Sequence, residues 1–419
     1  MNILLSAFAC LPNYGTESGN GWNWASHLAE TGHTVYVLTR AVNQERIERF
    51  LSLSPIANLH FVYVEVPLAK MYKHRDRGIY YVMWQMAALR AARKLLRTVR
   101  IDIVHHATYG SIHFPSQLWR LGLPIVFGPV GGGQVAPAAM LSYFGSGKSK
   151  EQQRSLITKF LPYSPLHRYW LRRMTCVLTS NRDTLDLAKR CGCRQVQFRL
   201  DVGLPTTYFA APVQEHKKQH TELKLVWVGR VLPRKALPLA LDALALVTQD
   251  VHLTIVGEAE SPSLVQRMIS DRGLKGRVTH LGRLPWNDTR DQYLRHDALL
   301  FTSLRDSVGS QLLEAMALGL PVICLDLHGA RDIVEDGAGY RVPVTTPDAT
   351  ARALAATIDQ YAVLSSEDRA RMSRRSWEKA RPLEWLAIVD DMNKVYARVL
   401  QTYASNAHKP IPTTTRKVS

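Results

Sequence analysis

Apolar residues in this chain fall into short aliphatic or β-branched runs bounded by turn residues. These runs alternate with stretches of helical spacing, the signature of parallel strands covered by helices. In the first half the pattern predicts strands at Asn2–Phe8, Thr34–Thr39, Leu59–Val64, Ile101–His105, Pro124–Phe127 and Thr175–Thr179. In the second half it predicts Leu223–Val228, His252–Val256, Arg277–Leu281, Ala298–Thr302, Pro321–Leu325 and Gly339–Val342. The expected fold class is α/β, with two Rossmann-like domains whose parallel sheets face each other across a cleft. The polar, aperiodic stretch 211–222 reads as the linker between a first domain, 1–210, and a second, 223–382. A helix over 383–409 is expected to pack back on the first domain, before a frayed Pro/Thr/basic tail at 410–419.

One helix stands apart. Between Tyr80 and Arg100, apolar Trp84, Ala88, Ala91, Leu95 and Val99 recur at helical spacing, as do Arg90, Arg93, Lys94, Arg97 and Arg100. Such a helix either buries its apolar stripe in the core or lies on an anionic membrane surface. The basic run from Lys70 to Arg77 just before it adds to the second reading.

Composition sharpens the picture in three places. With 419 residues, 46% of them hydrophobic and 21% charged, the chain is long enough for two globular cores. No run approaches the ~20 apolar residues of a membrane-spanning helix. The first residues read as a strand rather than a signal peptide, so the chain is expected in the cytoplasm, or peripherally at the inner face of the membrane. The net charge of +18 is uneven: residues 1–210 hold 25 Lys and Arg against 11 Asp and Glu, and the remainder 28 against 24. A basic first half implies an anionic partner, either membrane headgroups, a lipid phosphate or a nucleic acid. The five cysteines are scattered, and neither a second cysteine pair nor a histidine pair completes a zinc site around Cys191 and Cys193.

The most informative segment runs from Asp306 to Val322: Asp-Ser-Val-Gly-Ser-Gln-Leu-Leu-Glu-Ala-Met-Ala-Leu-Gly-Leu-Pro-Val. A strand delivers a loop with Gly309, and a helix starts near Val308, so backbone amides of Gly309, Ser310 and Gln311 can approach an anion at its positive end. Asp306 on the loop and Glu314 two turns into the helix can face one cleft. Phosphates at the helix start and a carboxylate that takes hydroxyl pairs suit a nucleotide. A second segment, Val226-Trp-Val-Gly-Arg-Val-Leu-Pro-Arg-Lys-Ala236, follows the first strand of the second domain. Its turn carries Gly229, then Arg230 and Lys235, two cations able to share a diphosphate. Arg234 reads as a solvated neighbour.

Together these segments resemble the family-4 retaining glycosyltransferases of GT-B fold: the acid-x₇-acid motif followed by Glu-Ala-Met-Ala-x-Gly-x-Pro-Val, and the Gly-Arg-x₄-Lys-Gly turn. The resemblance implies that Glu314 binds the donor ribose, that Asp306 contacts the transferred sugar, and that Arg230 and Lys235 stabilise the leaving diphosphate. Asp306 stands where the family has Glu, and Ala236 where it has Gly. Leu253-Thr-Ile-Val-Gly257 resembles the family's strand before the nucleotide cleft, and the strand and loop from Arg277 to Trp286, with Arg283 and Leu284, resemble those that hold the base through backbone groups. The likeness covers nearly all of residues 222–345 and is looser before them.

In the first domain, Gly15, Glu17 and Gly19 lie on the loop after strand one, and Gly131 and Gly132 on the glycine run after strand five. Both loops are expected to line the cleft, Gly15 and Gly19 near the donor and the others on the acceptor side. Where many relatives carry a histidine near the donor sugar, this chain has Gly128-Pro129. His105 and His106, ending the preceding strand, are the candidates, although strand-end histidines also pack without function. Tyr163, Tyr169 and Trp170 among Arg168, Arg172 and Arg173 either rim an acceptor site or are ordinary interface residues.

Two lures fail. Gly145-Ser-Gly-Lys-Ser149 lacks the glycine that opens a Walker A loop, since Ser142 stands there. No Asp-x-Asp occurs to hold a divalent metal on a diphosphate. The activity the resemblance implies is metal-independent, retaining transfer of a hexose-type sugar from a nucleotide diphosphate sugar, with no other cofactor. The acceptor is expected to be a glycan or lipid-linked molecule in cell-surface polysaccharide or glycolipid synthesis. A nucleotide-sugar epimerase of the same fold and a basic nucleic-acid-binding protein are the rivals; the latter lacks any recognisable nucleic-acid motif.

Overall fold

The computed structural model describes residues 1–66, 77–209 and 222–407. The basic run 70–76, the linker stretch 211–221 and the tail 410–419 therefore lie outside the described residues.

Among the described residues, thirteen strands form two wholly parallel sheets. The first sheet contains β1 (Asn2–Ala7), β2 (Thr34–Arg40), β3 (Leu59–Val64), β4 (Ile103–Thr108), β5 (Ile125–Val130), β6 (Cys176–Thr179) and β7 (Val196–Phe198). Their order is β3-β2-β1-β4-β5-β6-β7. The second contains β8 (Leu223–Val228), β9 (Val251–Val256), β10 (Val278–Gly282), β11 (Ala298–Phe301), β12 (Val322–Leu325) and β13 (Gly339–Val342). Their order is β10-β9-β8-β11-β12-β13. Every sequence-predicted strand is present, and β7 is an addition. It is only three residues long and half-buried throughout, so its apolar pattern is faint.

Both sheets are apolar on both faces, as helices on either side demand. Ile3, Leu5, Val35 and Val126 pack into one layer, while Leu4, Leu38, Val104 and Phe127 pack into the opposite one. In each sheet the chain reverses its direction of travel once, between β1 and β4 and between β8 and β11. Ligands of open parallel sheets bind in the crevice at such switch points, beyond the carboxyl ends of the strands. The loops singled out from sequence leave β1, β5, β8 and β11, so the topology gathers them around both crevices.

Five helices matter below: α1 (Thr16–Glu30), α2 (Arg77–Leu95), α3 (Lys148–Phe160), α4 (Pro165–Leu171) and α5 (Ser310–Ala317). A sixth, α6 (Trp385–Ala407), crosses from the second domain to the first. Its Trp385, Val389, Met392 and Tyr396 are buried with Trp24 and Leu28 of α1.

The structure answers the question left open for the amphipathic helix. Tyr81, Trp84, Ala88, Leu89 and Ala92 of α2 are buried, while Arg90, Arg93 and Lys94 are exposed. Its apolar stripe is thus already covered by core, and the reading of that stripe as a membrane-lying face is corrected.

Candidate active site

The second-domain wall starts at the turn after β8. Gly229 takes φ 150°, and a Cβ on Gly257, after β9, would lie 1.8 Å from the Gly229 carbonyl oxygen. Gly257 must be bare for the two turns to touch, and Gly229 for the backbone angle it adopts. Past them, Arg230 is exposed, and among the described residues no acid pairs with it. Lys235 is buried, its ammonium on the Asp306 carboxylate, 3.5 Å from Gln311 Oε1 and 4.9 Å from the centre of the Phe301 ring. Ala236 follows at φ 47°, a conformation that costs an alanine roughly 1–2 kcal/mol. That strain explains the glycine usual in this turn.

Arg234 corrects a sequence expectation. Rather than standing in solvent, its guanidinium reaches the other Asp306 oxygen at 3.2 Å, and Ser303 Oγ donates to the same carboxylate at 3.3 Å. Burial alone would raise the Asp306 carboxyl, but Lys235 and Arg234 outweigh it and hold the group below the usual range. Asp306 is therefore an ionised acid clamped between two cations.

Glu314 lies on α5, which starts at Ser310 rather than Val308, with Gly309 ahead of it at φ 83°. Tyr293 donates its hydroxyl to Glu314 Oε2 at 2.9 Å. Burial pushes the Glu314 carboxyl up, opposed by Tyr293, Ser310 and Lys235. Nearby, the rings of Tyr208 and Trp286 approach to 5.0 Å, with Trp286 46% exposed. Leu284 packs against the cluster that holds Tyr208 and Tyr293, and Arg283 is exposed. Sequence reasoning missed Tyr293, because one tyrosine within a polar helix gives no signal of the acid it will meet.

On the first-domain wall, Gly15 precedes α1 in extended conformation with open space around it. A Cβ on Gly19 would lie 1.9 Å from the Tyr14 carbonyl oxygen, which holds the loop tight against the helix. Glu17 Oε1 accepts from the Gly110 amide at 2.7 Å, and burial pushes its carboxyl up against the pull of that amide and of Arg40. Asp201, after β7, is raised to about 7 by burial, with Glu17 and Asp306 adding like charge and its own backbone amide opposing. Its Oδ1 is shielded and has no partner.

The two walls meet at one edge. Gly131 packs so closely that a Cβ would lie 2.1 Å from Ser307 Oγ, and Gly132 takes φ 109° beside His113. Ser307 Oγ pairs with Ser180 Oγ at 2.7 Å and accepts from Asn181 Nδ2 at 2.9 Å. Outside them, Asp183 meets His328 at 3.0 Å and Arg331 at 3.4 Å, while Asp332 accepts from the Arg182 amide at 2.7 Å. These partners lie over a hundred positions apart, so no local pattern announces them.

The histidines are not brought to the open cleft. His105 is fully buried, with Nε2 2.7 Å from the Gly128 carbonyl and Nδ1 2.7 Å from the Tyr396 hydroxyl of α6. His106 is buried beside Tyr81, 3.0 Å from its hydroxyl, and its Nδ1 has no partner. Burial pushes His105 down to about 4 and His106 down to about 3, so both rings are neutral. The catalytic expectation for His105 gives way to packing, since both its nitrogens are committed to structure.

Two Rossmann-like domains, their switch points facing across one cleft that carries cations on one wall and shielded acids on both, define a GT-B glycosyltransferase. The chain belongs to the family-4 glycosyltransferases. Residues 22–197 match the family model described as Glycosyltransferase Family 4, and residues 211–379 the one described as Glycosyl transferases group 1. The chain is 32% identical over 329 residues to the phosphatidyl-myo-inositol mannosyltransferase of Mycobacterium tuberculosis, covering 75% of this chain and 78% of that one. It is 26% identical over 266 residues to the 2-deoxystreptamine glucosyltransferase of Streptomyces kanamyceticus, covering 60% and 66%. Among solved structures, sucrose-phosphate synthase from Thermosynechococcus elongatus superposes with TM-score 0.67 at 17% identity, over 96% of this chain and 99% of that one. Anabaena HepE in complex with UDP and glucose superposes with TM-score 0.58 at 14% identity, over 95% and 100%.

Proposed function

We propose that this glycosyltransferase moves a hexose-type sugar from a nucleotide diphosphate sugar to a glycan or lipid-linked acceptor, with retention and without a metal. The observation that carries the reading is the arrangement of Arg230, Lys235 and the Gly309–Ser310 helix start on one wall, with Glu314 one turn further in. Arg230 and Lys235 take the donor diphosphate together with the amides at the start of α5, while Glu314, oriented by Tyr293, takes the ribose hydroxyls. The solved relative with UDP and glucose, and the mannosyltransferase acting on a phosphatidyl-inositol, support a sugar nucleotide and a lipid-linked acceptor respectively.

In the proposed step the bond between the anomeric carbon and the phosphate oxygen breaks, and its electron pair leaves with the diphosphate. Cations already in place stabilise that charge as it grows, the kind of preorganised help whose loss costs ~10²–10³ in turnover. The acceptor oxygen bonds to the same face of the anomeric carbon, and its proton passes to the departing phosphate oxygen. Asp306, held ionised by Lys235 and Arg234, faces the transferred sugar. Gly15, Gly19 and Glu17 close over the donor and acceptor from the first domain. Work at the inner face of an anionic membrane, in cell-surface polysaccharide or glycolipid synthesis, fits a lipid-linked acceptor; nucleic acid is not part of this reading.

A thermal-shift screen with UDP, GDP, ADP and their sugar conjugates, repeated on Glu314→Ala, tests the donor site. At 100 times the dissociation constant, bound nucleotide adds about 2.7 kcal/mol of stability. One responsive nucleotide, silent in the variant, supports the reading. No response to any of them sinks it.

A further inference from the structure

Helix α3 is built inside out. Its polar Glu151 and Thr158 are buried, while Leu156, Ile157 and Phe160 on the other side are exposed. The inward residues have specific work: Glu151 pairs with Arg305 of the second domain at 2.7 Å, Thr158 Oγ1 lies 3.1 Å from His113 Nε2, and Arg154 donates to the Gln134 carbonyl at 3.0 Å. The inner face of α3 therefore belongs to the wall of the cleft, beside Gly132. That accounts for the polar side and leaves the apolar side without a partner among the described residues.

The apolar side does not stand alone. Six of the seventeen large apolar or aromatic side chains exposed among the described residues lie between Leu156 and Tyr169. Tyr163 and Tyr169 continue the surface onto α4 and line a cavity of about 610 Å³ with Arg168, Arg172, Arg173 and Arg194. Arg173 stacks over the Tyr169 ring at 4.8 Å. From 152 to 182 the sequence contains no acid, so nothing on this stretch offsets its arginines. Contiguous exposed apolar surface marks an interaction site, and aromatic rings beside arginines suit the headgroup level of a bilayer.

We propose that the α3–α4 face docks on an anionic lipid bilayer, with Leu156, Ile157, Phe160 and Tyr163 entering the headgroup boundary and the arginine-lined cavity receiving a lipid phosphate. The partner is a bilayer rather than a second copy of the chain because the charge is of one sign: two such faces would repel each other. Docking on this face sets the acceptor side of the cleft next to the membrane, one helix thickness away. The reason to dock rests on the lipid-linked acceptor proposed above, but the docking itself is measured without any donor or acceptor.

The full chain is sedimented with vesicles of phosphatidylcholine alone, and of equal parts phosphatidylglycerol and phosphatidylcholine. Retention is expected only on the anionic vesicles and weakens as salt is raised. Arg172→Gln and Arg173→Gln should each lower partitioning about fivefold, the effect of one cation near an anionic surface. Phe160→Ser with Tyr163→Ser should lower it further, while Arg90→Gln with Arg93→Gln on α2 should leave retention above that of the α3–α4 variants. Unchanged melting temperature and nucleotide response show that each variant is folded and the donor site intact. Equal retention on neutral vesicles, no retention on either, or loss caused only by the α2 variant would overturn the proposal. So would light scattering that shows a dimer dissolved by the Phe160 and Tyr163 changes.

Discussion

Lys235, on the turn after β8, holds its ammonium on the carboxylate of Asp306, on the turn after β11, across the switch point of the second sheet. Arg234 occupies the other oxygen at 3.2 Å. A largely buried acid with two cations cannot be read as a set of independent contacts. An incoming diphosphate competes with Asp306 for the same positive charge, and a sugar hydroxyl can take up the carboxylate lone pairs released. The site is charge-balanced before the donor arrives, which avoids burying an uncompensated cation.

Lys235→Met should therefore harm both stability and rate. It leaves Asp306 with a single cation, at a cost of about 3–5 kcal/mol where a buried pair is broken. Turnover should fall ~10²–10³ through the lost stabilisation of the leaving group. Arg230→Gln, whose side chain is exposed, should lose turnover with an unchanged melting temperature. Melting curves beside transfer rates separate the two; equal loss of stability in both variants would count against this account.

Gly131→Ala should block closure of the cleft. The added methyl would sit 2.1 Å from Ser307 Oγ, so the domains can no longer meet at the Ser180–Ser307–Asn181 contact. The expected result is a transfer rate down by at least the ~10-fold that about 1.4 kcal/mol represents. Nucleotide binding to the second domain should persist, since Glu314 and Lys235 are untouched. Calorimetric titration with the responsive nucleotide, beside a rate measurement, shows whether only the rate moves.

Asp201 carries a pH dependence with a definite sign. Its folded-state value of about 7 lies above the ordinary 3.8, so the folded chain holds this proton more tightly than the unfolded chain does. Its contribution to stability is fully present below 3.8 and is lost as pH rises through 7. Asp201→Asn should thus be more stable than the natural chain above neutrality, by about 4 kcal/mol, with the difference shrinking as pH falls toward 4. Denaturation midpoints across that range decide it; a difference independent of pH would show that the Asp201 proton is not responsible.

His105→Ala should weaken the fold without touching the chemistry. It leaves the Gly128 carbonyl and the Tyr396 hydroxyl buried without partners and loosens α6 from the first domain. A loss of about 3 kcal/mol is expected. Turnover per folded molecule should not change. A variant of full stability and no activity would restore the catalytic reading.

The strands, their grouping into two α/β domains and the motif loops were legible in the sequence because each depends on local pattern. A buried parallel strand is a short apolar run wherever it occurs; Asp306, Gly309 and Glu314 stand at fixed spacings on one stretch of chain, and Gly229, Arg230 and Lys235 on another. The sequence could not say whether the α2 stripe met core or lipid, because both partners are apolar. It could not say whether His105 faced ligand or Tyr396, nor that Arg234 closes on Asp306. Those outcomes belong to contacts between residues far apart in the chain, which only packing creates. The inverted helix α3 shows the same division. Its amphipathic spacing is written in the sequence, but which face turns inward was decided when the second domain placed Arg305 where Glu151 could reach it.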